Sequence, residues 1–229
     1  MTPAPSTLQA ALSRIGETQA PLPGAVSVFI GFAALAAVVV QEFWLLTRHV
    51  NTIAHEGAHA IVGSAVGRKV QGVRLEPNAT GATTTAGSKG AGNVATLAVG
   101  YVGPSAFGLL AAKMIQLGHS DAVLWVTVLL LAALLLTVRN AFGFVPVLAT
   151  GALVYIIARY GSVGADSAVA YGVTWFLLLA GVRAVLDHGV DAKDADTLRG
   201  LTKIGPGVWF WLWLTLTFGA LALGGSMLV

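Results

Sequence analysis

Apolar positions come in long blocks, not at the short period of a half-buried helix or strand. Residues 24–46, 94–117, 122–138, 141–158, 168–186 and 208–229 are almost continuously hydrophobic. At about 1.5 Å per helical residue, such blocks cross or nearly cross the roughly 30 Å hydrocarbon core of a bilayer. Segment 51–66 is a shorter apolar helix of about 24 Å by the same rise. Counting it, the pattern predicts an all-α polytopic membrane protein with about seven transmembrane helices. The short helix is rich in small residues (Gly57, Ala58, Ala60, Gly63, Ser64, Gly67), with Gly63 and Gly67 in GxxxG spacing. Small residues let backbones approach closely, so this helix is expected inside the bundle and not against lipid.

Two stretches depart from this pattern. Residues 1–23 form a polar N-terminal tail carrying four prolines, with a surface helix expected over 6–19. Residues 24–229 read as a single membrane-embedded domain. Within it, 70–75 roughly alternates and 79–86 is threonine-rich, separated by Glu76-Pro77-Asn78. This predicts a small β-hairpin or extended loop directly after the short helix. A strand edge in a membrane must be shielded, or else pair with an extended peptide. Trp209, Trp211 and Trp213 open the last block and are expected in an interfacial aromatic belt.

Composition narrows the class. Charged residues make up 10% of the chain, against about 25% in soluble domains, which excludes a soluble protein. The net charge of +3 is not concentrated in any basic block, which excludes nucleic acid as a partner. With no cysteine, disulfides, iron–sulfur clusters and thiolate ligands are excluded, so any metal must be held by histidine and carboxylate. Taken as seven spans, the connections collect Arg14, Arg68, Lys69, Arg74, Lys89, Arg139, Arg183, Lys193, Arg199 and Lys203 on one side and Arg48, Lys113 and Arg159 on the other. The positive-inside rule then puts the N-terminus in the cytoplasm and the C-terminus outside.

The candidate chemistry lies in the short helix. His55-Glu56-Gly57-Ala58-His59 is an H-E-x-x-H motif. Residues i and i+4 share a helix face, so both imidazoles can reach one metal ion, with Glu56 beside it to take a proton from water. A catalytic zinc site uses three protein ligands. The spacing leaves Glu76, Asp187, Asp191, Asp194 and Asp196 open for the third. Asn93 and Asn140 are candidate oxyanion or substrate contacts, Asn140 reading first as a helix cap at a tight turn.

An H-E-x-x-H helix inside apolar sequence, followed by a hairpin-like loop, resembles the site-2 protease family of intramembrane zinc metallopeptidases. The run from His55 through Gly72-Val73-Arg74-Leu75-Glu76-Pro77 to Gly100-Tyr101-Val102-Gly103-Pro104 is similar to the small bacterial M50B-like members. The resemblance implies that His55 and His59 bind one Zn2+, that Glu56 is the catalytic base, and that a later aspartate completes the site. Asp194, followed by Leu198, Thr202 and Pro206, matches that stretch best, with Asp187 the alternative. It further implies a bacterial plasma-membrane setting, the lipid bilayer as partner, and a membrane-protein or peptide substrate. The Asn-Pro-Asp-Gly motif of site-2 proteases proper is absent. That absence supports an alternative, a metal-binding, non-proteolytic membrane scaffold or receptor of the same fold. A weaker third reading is a metal transporter using Glu42, His49 and His119.

Overall fold

Val40 splits the first apolar block in two. In the computed structural model, which describes residues 13, 15–87 and 90–229, helix α1 (Gly24–Val39) stops there. The chain turns by 97° into α2 (Gln41–Ala65). Val40 is extended (φ −72°, ψ 120°), which interrupts the helical hydrogen-bond ladder. The H-E-x-x-H segment is therefore the middle of a 25-residue helix and not an independent 51–66 element. Its end is set by Gly67 at φ +76°, a left-handed conformation that glycine adopts at no steric cost. Gly67 thus terminates α2, and the expected GxxxG pairing face is not formed there. Gly63 instead lies against Thr85 and Thr96.

The hairpin follows as expected. Strands β1 (Lys69–Leu75) and β2 (Gly81–Ala86) pair antiparallel, with an irregularity between Val70 and Gly72. The outer edge of β1 is closed by the 137–139 segment: Val73 N donates to Thr137 O and Arg139 N to Val73 O, each at 2.9 Å. Next come α3 (Ala91–Ala98) and α4 (Gly103–Gln116), bent by 73° at Val99–Val102. Then follow α5 (Ser120–Leu135), α6 (Ala141–Tyr160) and α7 (Val163–His188). A 3₁₀ turn at Gly189–Asp191, α8 (Lys193–Thr202) and α9 (Pro206–Leu228) complete the chain.

The expectation of seven separate spans is corrected. Among the described residues, three helices are long and apolar enough to cross a membrane: α6, α7 with the turn after it, and α9. The number rises to five if each bent pair, α1–α2 and α3–α4, counts as one span. Helix α5 is apolar but has only 16 residues. Hydropathy continues across both bends because Val40 and Val99 are themselves apolar; the second bend alone carries a sequence signal, the Gly100, Gly103 and Pro104 run that permits a kink.

Helix α7 is the axis of the bundle. Leu22 N donates to Tyr171 Oη, Gly31 lies against Trp175, and Arg183 Nη1 donates to Val38 O, so α1 runs parallel to α7. Gly181 meets Ser105 and Leu178 meets Gly108, so α4 runs antiparallel. Leu178 also meets Gly224, and Gly24 meets Val229 O, so α9 returns antiparallel beside them. Residues 18–24, 116–121 and Val229 therefore share one end of the bundle. The hairpin, α8 and the start of α9 share the other. The tail was expected on the same side as segments 68–92 and 187–205; its described end, residues 18–23, stands instead at the opposite end of the bundle. The reason is α2, which turns across the bundle instead of traversing it and so removes one crossing. The surface helix expected at 6–19 lies mostly outside the described residues.

Candidate metal centre

Three donor atoms from two distant parts of the chain converge. His55 Nε2 and His59 Nε2 are 3.0 Å apart, and Asp194 Oδ2 is 3.2 Å from the first and 3.3 Å from the second. The histidines come from one face of α2, as the i, i+4 spacing requires. Asp194 comes from the first turn of α8. That short helix is docked by its apolar face: Ala195 and Leu198 are fully buried among Tyr101, Val185, Trp209 and Trp213. Burying Ala195 and Leu198 aims the neighbouring Asp194 at the histidines.

The donor set fits a zinc-type ion. Tetrahedral zinc with bonds of about 2.0 Å separates its ligand atoms by about 3.3 Å, close to the edges of this triangle. His59 Nδ1 donates to Thr96 O at 2.6 Å, which fixes the ring and leaves the Nε2 lone pair for a metal. Gly100, at the α3–α4 break, packs on both imidazoles. A Cβ there would stand 2.5 Å from His59 Nε2 and 2.6 Å from His55 Nε2. Burial pushes the Asp194 carboxyl up, but hydrogen bonds and charge from His55 and His59 outweigh it and hold the group well below the usual carboxylate range.

Glu56 lies beside this triangle and is oriented from the hairpin. Thr83 Oγ1 donates to Glu56 Oε2 at 2.6 Å, and Gly81 packs against the same carboxylate. The hairpin's free edge runs along the site. Val73 and Leu75 turn their backbone groups away from β2, toward the 137–139 segment and Asn140. In an antiparallel ladder their opposite residues, Thr83 and Gly81, direct their own N–H and C=O groups outward as well. A cleft of about 370 Å³ joins these parts, lined by the histidines, Glu56, Asp194, Thr80–Thr83, Asn51 and Asn93.

The other candidates are placed as follows. Asn93 stands in the first turn of α3 and lines the cleft. Asp191 lines it too, without joining the triangle. Asp187 is engaged elsewhere, accepting from Arg183 Nε at 2.7 Å and Trp44 Nε1 at 2.8 Å. Asn140 sits at the N-cap of α6, but its side chain clasps the Leu75 backbone: Oδ1 accepts from Leu75 N and Nδ2 donates to Leu75 O. Asp187 and Asn140 thus hold the frame together. Glu42 is exposed, His49 packs on Phe142, and His119 precedes α5 at the far end of the bundle, so the three form no path. Sequence reading passed over Thr83 and Gly81, and it met Gly100 and Tyr101 only within the Gly-Tyr-Val-Gly-Pro run, with no role at the site. The Tyr101 ring lies edge-on to His55 at 4.8 Å and tilted on Trp213 at 4.7 Å. The Gly-Tyr-Val-Gly-Pro punctuation at 100–104 is the signal that brings Gly100 and Tyr101 into the sequence reading.

The sequence model of the family described as Peptidase M50B-like matches residues 28–224. The chain belongs to that family. The matched stretch contains the whole H-E-x-x-H helix, the hairpin, both bends and Asp194. No curated protein and no solved structure matches the chain. Membership and the apolar helices together make this an integral membrane protein of a metallopeptidase family, with a triad able to hold a metal.

Proposed function

We propose that the chain is an intramembrane metallopeptidase that hydrolyses peptide bonds of membrane-associated substrates, with Zn2+ held by His55, His59 and Asp194. The observation that carries this reading is the convergence of those three donors beside a Glu56 carboxylate already oriented by Thr83. When bound, zinc supplies a Lewis acid that lowers the pKa of water to about 7 and polarises the scissile carbonyl. Glu56 takes the proton of the attacking water and delivers it to the leaving amine nitrogen. Thr83 keeps one carboxylate oxygen fixed through that exchange. The outward N–H and C=O groups of Gly81 and Thr83 pair with an extended substrate segment, and Asn93 offers its amide to a substrate carbonyl. A non-proteolytic scaffold has no use for an oriented base next to the donors, so Thr83 favours the catalytic reading.

Orientation follows from charge. Among the described residues, the end of the bundle that holds the cleft carries Arg48, Arg68, Lys69, Arg74, Arg139, Arg183, Lys193, Arg199 and Lys203, whereas the far end carries Lys113 and Arg159. By the positive-inside rule the cleft lies toward the cytoplasm of a bacterial plasma membrane, with residues 18–24 and Val229 on the outer side.

The test compares zinc content with cleavage of a fluorogenic peptide library in which each peptide carries one apolar span. Wild type is expected to hold about one zinc and to cleave. Glu56→Gln is expected to keep the zinc and to lose at least about 10²-fold in turnover. Undiminished cleavage by a folded Glu56→Gln protein would sink the mechanism. Zinc without cleavage in wild type would favour the scaffold.

A further inference from the structure

Helix α2 separates two cavities of opposite character. The cleft side carries Asn51, Thr52, His55, Glu56 and His59. The back of the same helix, Ile53, Ala54, Gly57, Ala60 and Ile61, faces a second cavity of about 450 Å³. Its other walls come from α4 through Phe107, α5 through Leu130 and Leu134, α6 through Val154, and α7 through Leu177. No charged side chain lines it. Gly57, inside the H-E-x-x-H motif, has open space where a Cβ would stand.

We infer that this chamber binds a single lipid acyl chain, which buttresses the motif helix from behind. Three observations select that occupant. First, the chamber is mostly apolar: its polar lining is four hydroxyls, Ser64, Thr127, Thr137 and Thr150, of which Thr127 and Thr137 donate to nearby carbonyls, Val123 O at 2.8 Å and Leu134 O at 2.7 Å. An ordered water needs two to four polar partners, so water does not fill it. Second, it opens sideways between α2 and α5, where Ile61 is 43% and Leu130 41% exposed. In an integral membrane protein such apolar faces meet hydrocarbon. Third, its size excludes a helical segment. A helix with side chains is about 10–12 Å across, so about 450 Å³ holds roughly one turn, whereas a flexible chain threads the space along its length. An unfilled cavity of this size would leave its walls without dispersion partners, and α2 would lack support opposite its ligands. The inference is independent of proteolysis.

Vesicles of phosphatidylcholine bearing a photoactivatable diazirine at the acyl terminus test it. Irradiation and peptide mass mapping of reconstituted protein are expected to give adducts on Ala54, Gly57, Phe107 and Val154. Controls are the lipid-facing Leu46 and Leu136, 75% and 80% exposed. Ala133→Trp, at the mouth, is expected to cut the interior adducts about tenfold while those at Leu46 and Leu136 persist. Thr150→Phe, at a half-buried lining position, serves if the first variant does not fold. Relipidation of delipidated protein is also expected to raise Tm in wild type and not in the plugged variant. Adducts confined to the outer surface in wild type, or interior adducts undiminished by both plugs, would overturn the inference.

Discussion

Two glycines carry constraints that no composition rule assigns to them. Gly100 has both imidazoles where its Cβ would go, and Gly81 has the Glu56 carboxylate there. Neither neighbour is free to retreat, because His59 is tied to Thr96 O and Glu56 to Thr83 Oγ1. The two substitutions should therefore separate binding from turnover. Gly100→Ala is expected to abolish stoichiometric zinc, and Gly81→Ala to keep zinc while lowering the rate at least about tenfold, measured by metal emission alongside cleavage. Wild-type zinc affinity in Gly100→Ala would show that the imidazoles do not meet at this point. Likewise Asp194→Ala should lose the metal and Asp187→Ala retain it, since the Asp187 carboxylate is taken up by Arg183 and Trp44. The histidine pair and Glu56 were legible in the sequence because one helical turn relates them. Asp194, 135 positions after His59 in the chain, was reached only through resemblance to a family; Gly100 entered only within the Gly-Tyr-Val-Gly-Pro run, without its contact to the imidazoles, and Gly81 not at all.

Helix α2 is held at its start by a clamp and at the site by α8. Arg183 reaches Val38 O, Gln41 Oε1 and Asp187 Oδ1 together, closing the bend at Val40 from the side of α7. Arg183→Ala is expected to speed hydrogen exchange at 38–48 and leave the hairpin amides unchanged. Equal acceleration in both segments would mean general loosening. At α8, Leu198 is fully buried under Trp209 and Trp213, and Leu198→Ala is expected to cost about 2–5 kcal/mol. Because the same packing aims Asp194, zinc should also leave faster to a chelator, while an unchanged release rate would separate docking from ligation. The hairpin was readable from its alternation and turn residues. The bend at Val40 was not, since a valine in extended conformation has the same hydropathy as one in a helix; the bend at 99–102 was announced by Gly100, Gly103 and Pro104. Trp209 and Trp213 read as an interfacial belt but are 8% and 1% exposed, with Trp213 Nε1 donating to Ala98 O at 2.8 Å. Only Trp211, 65% exposed, remains outward.

At the scale of the whole molecule, the crossing of each helix decides which face of the membrane every loop meets. Gln19 N donates to Gly118 O at 2.7 Å and Gly24 lies against Val229 O, so these segments share an end, opposite α8. The chain has no cysteine, which makes single-cysteine labelling clean. Glu17→Cys is expected to react with an impermeant maleimide in intact cells, and Arg199→Cys only after permeabilisation. Labelling of both from the same side would contradict the bundle's arrangement in the membrane, and labelling in the opposite order would reverse its orientation.

The sequence by itself determined the membrane class, the helical architecture, the hairpin and the His–Glu–His set. Each of these follows from composition or from residues within a few positions of one another. Tertiary structure alone decided which threonine orients Glu56 and that α2 lies across the bundle instead of through it, and it brings to the histidines the one carboxylate, Asp194, that no local pattern singled out. Those outcomes depend on how Ala195 and Leu198, Arg183 and Val40 pack against partners far away in the chain. Local pattern does not encode such packing.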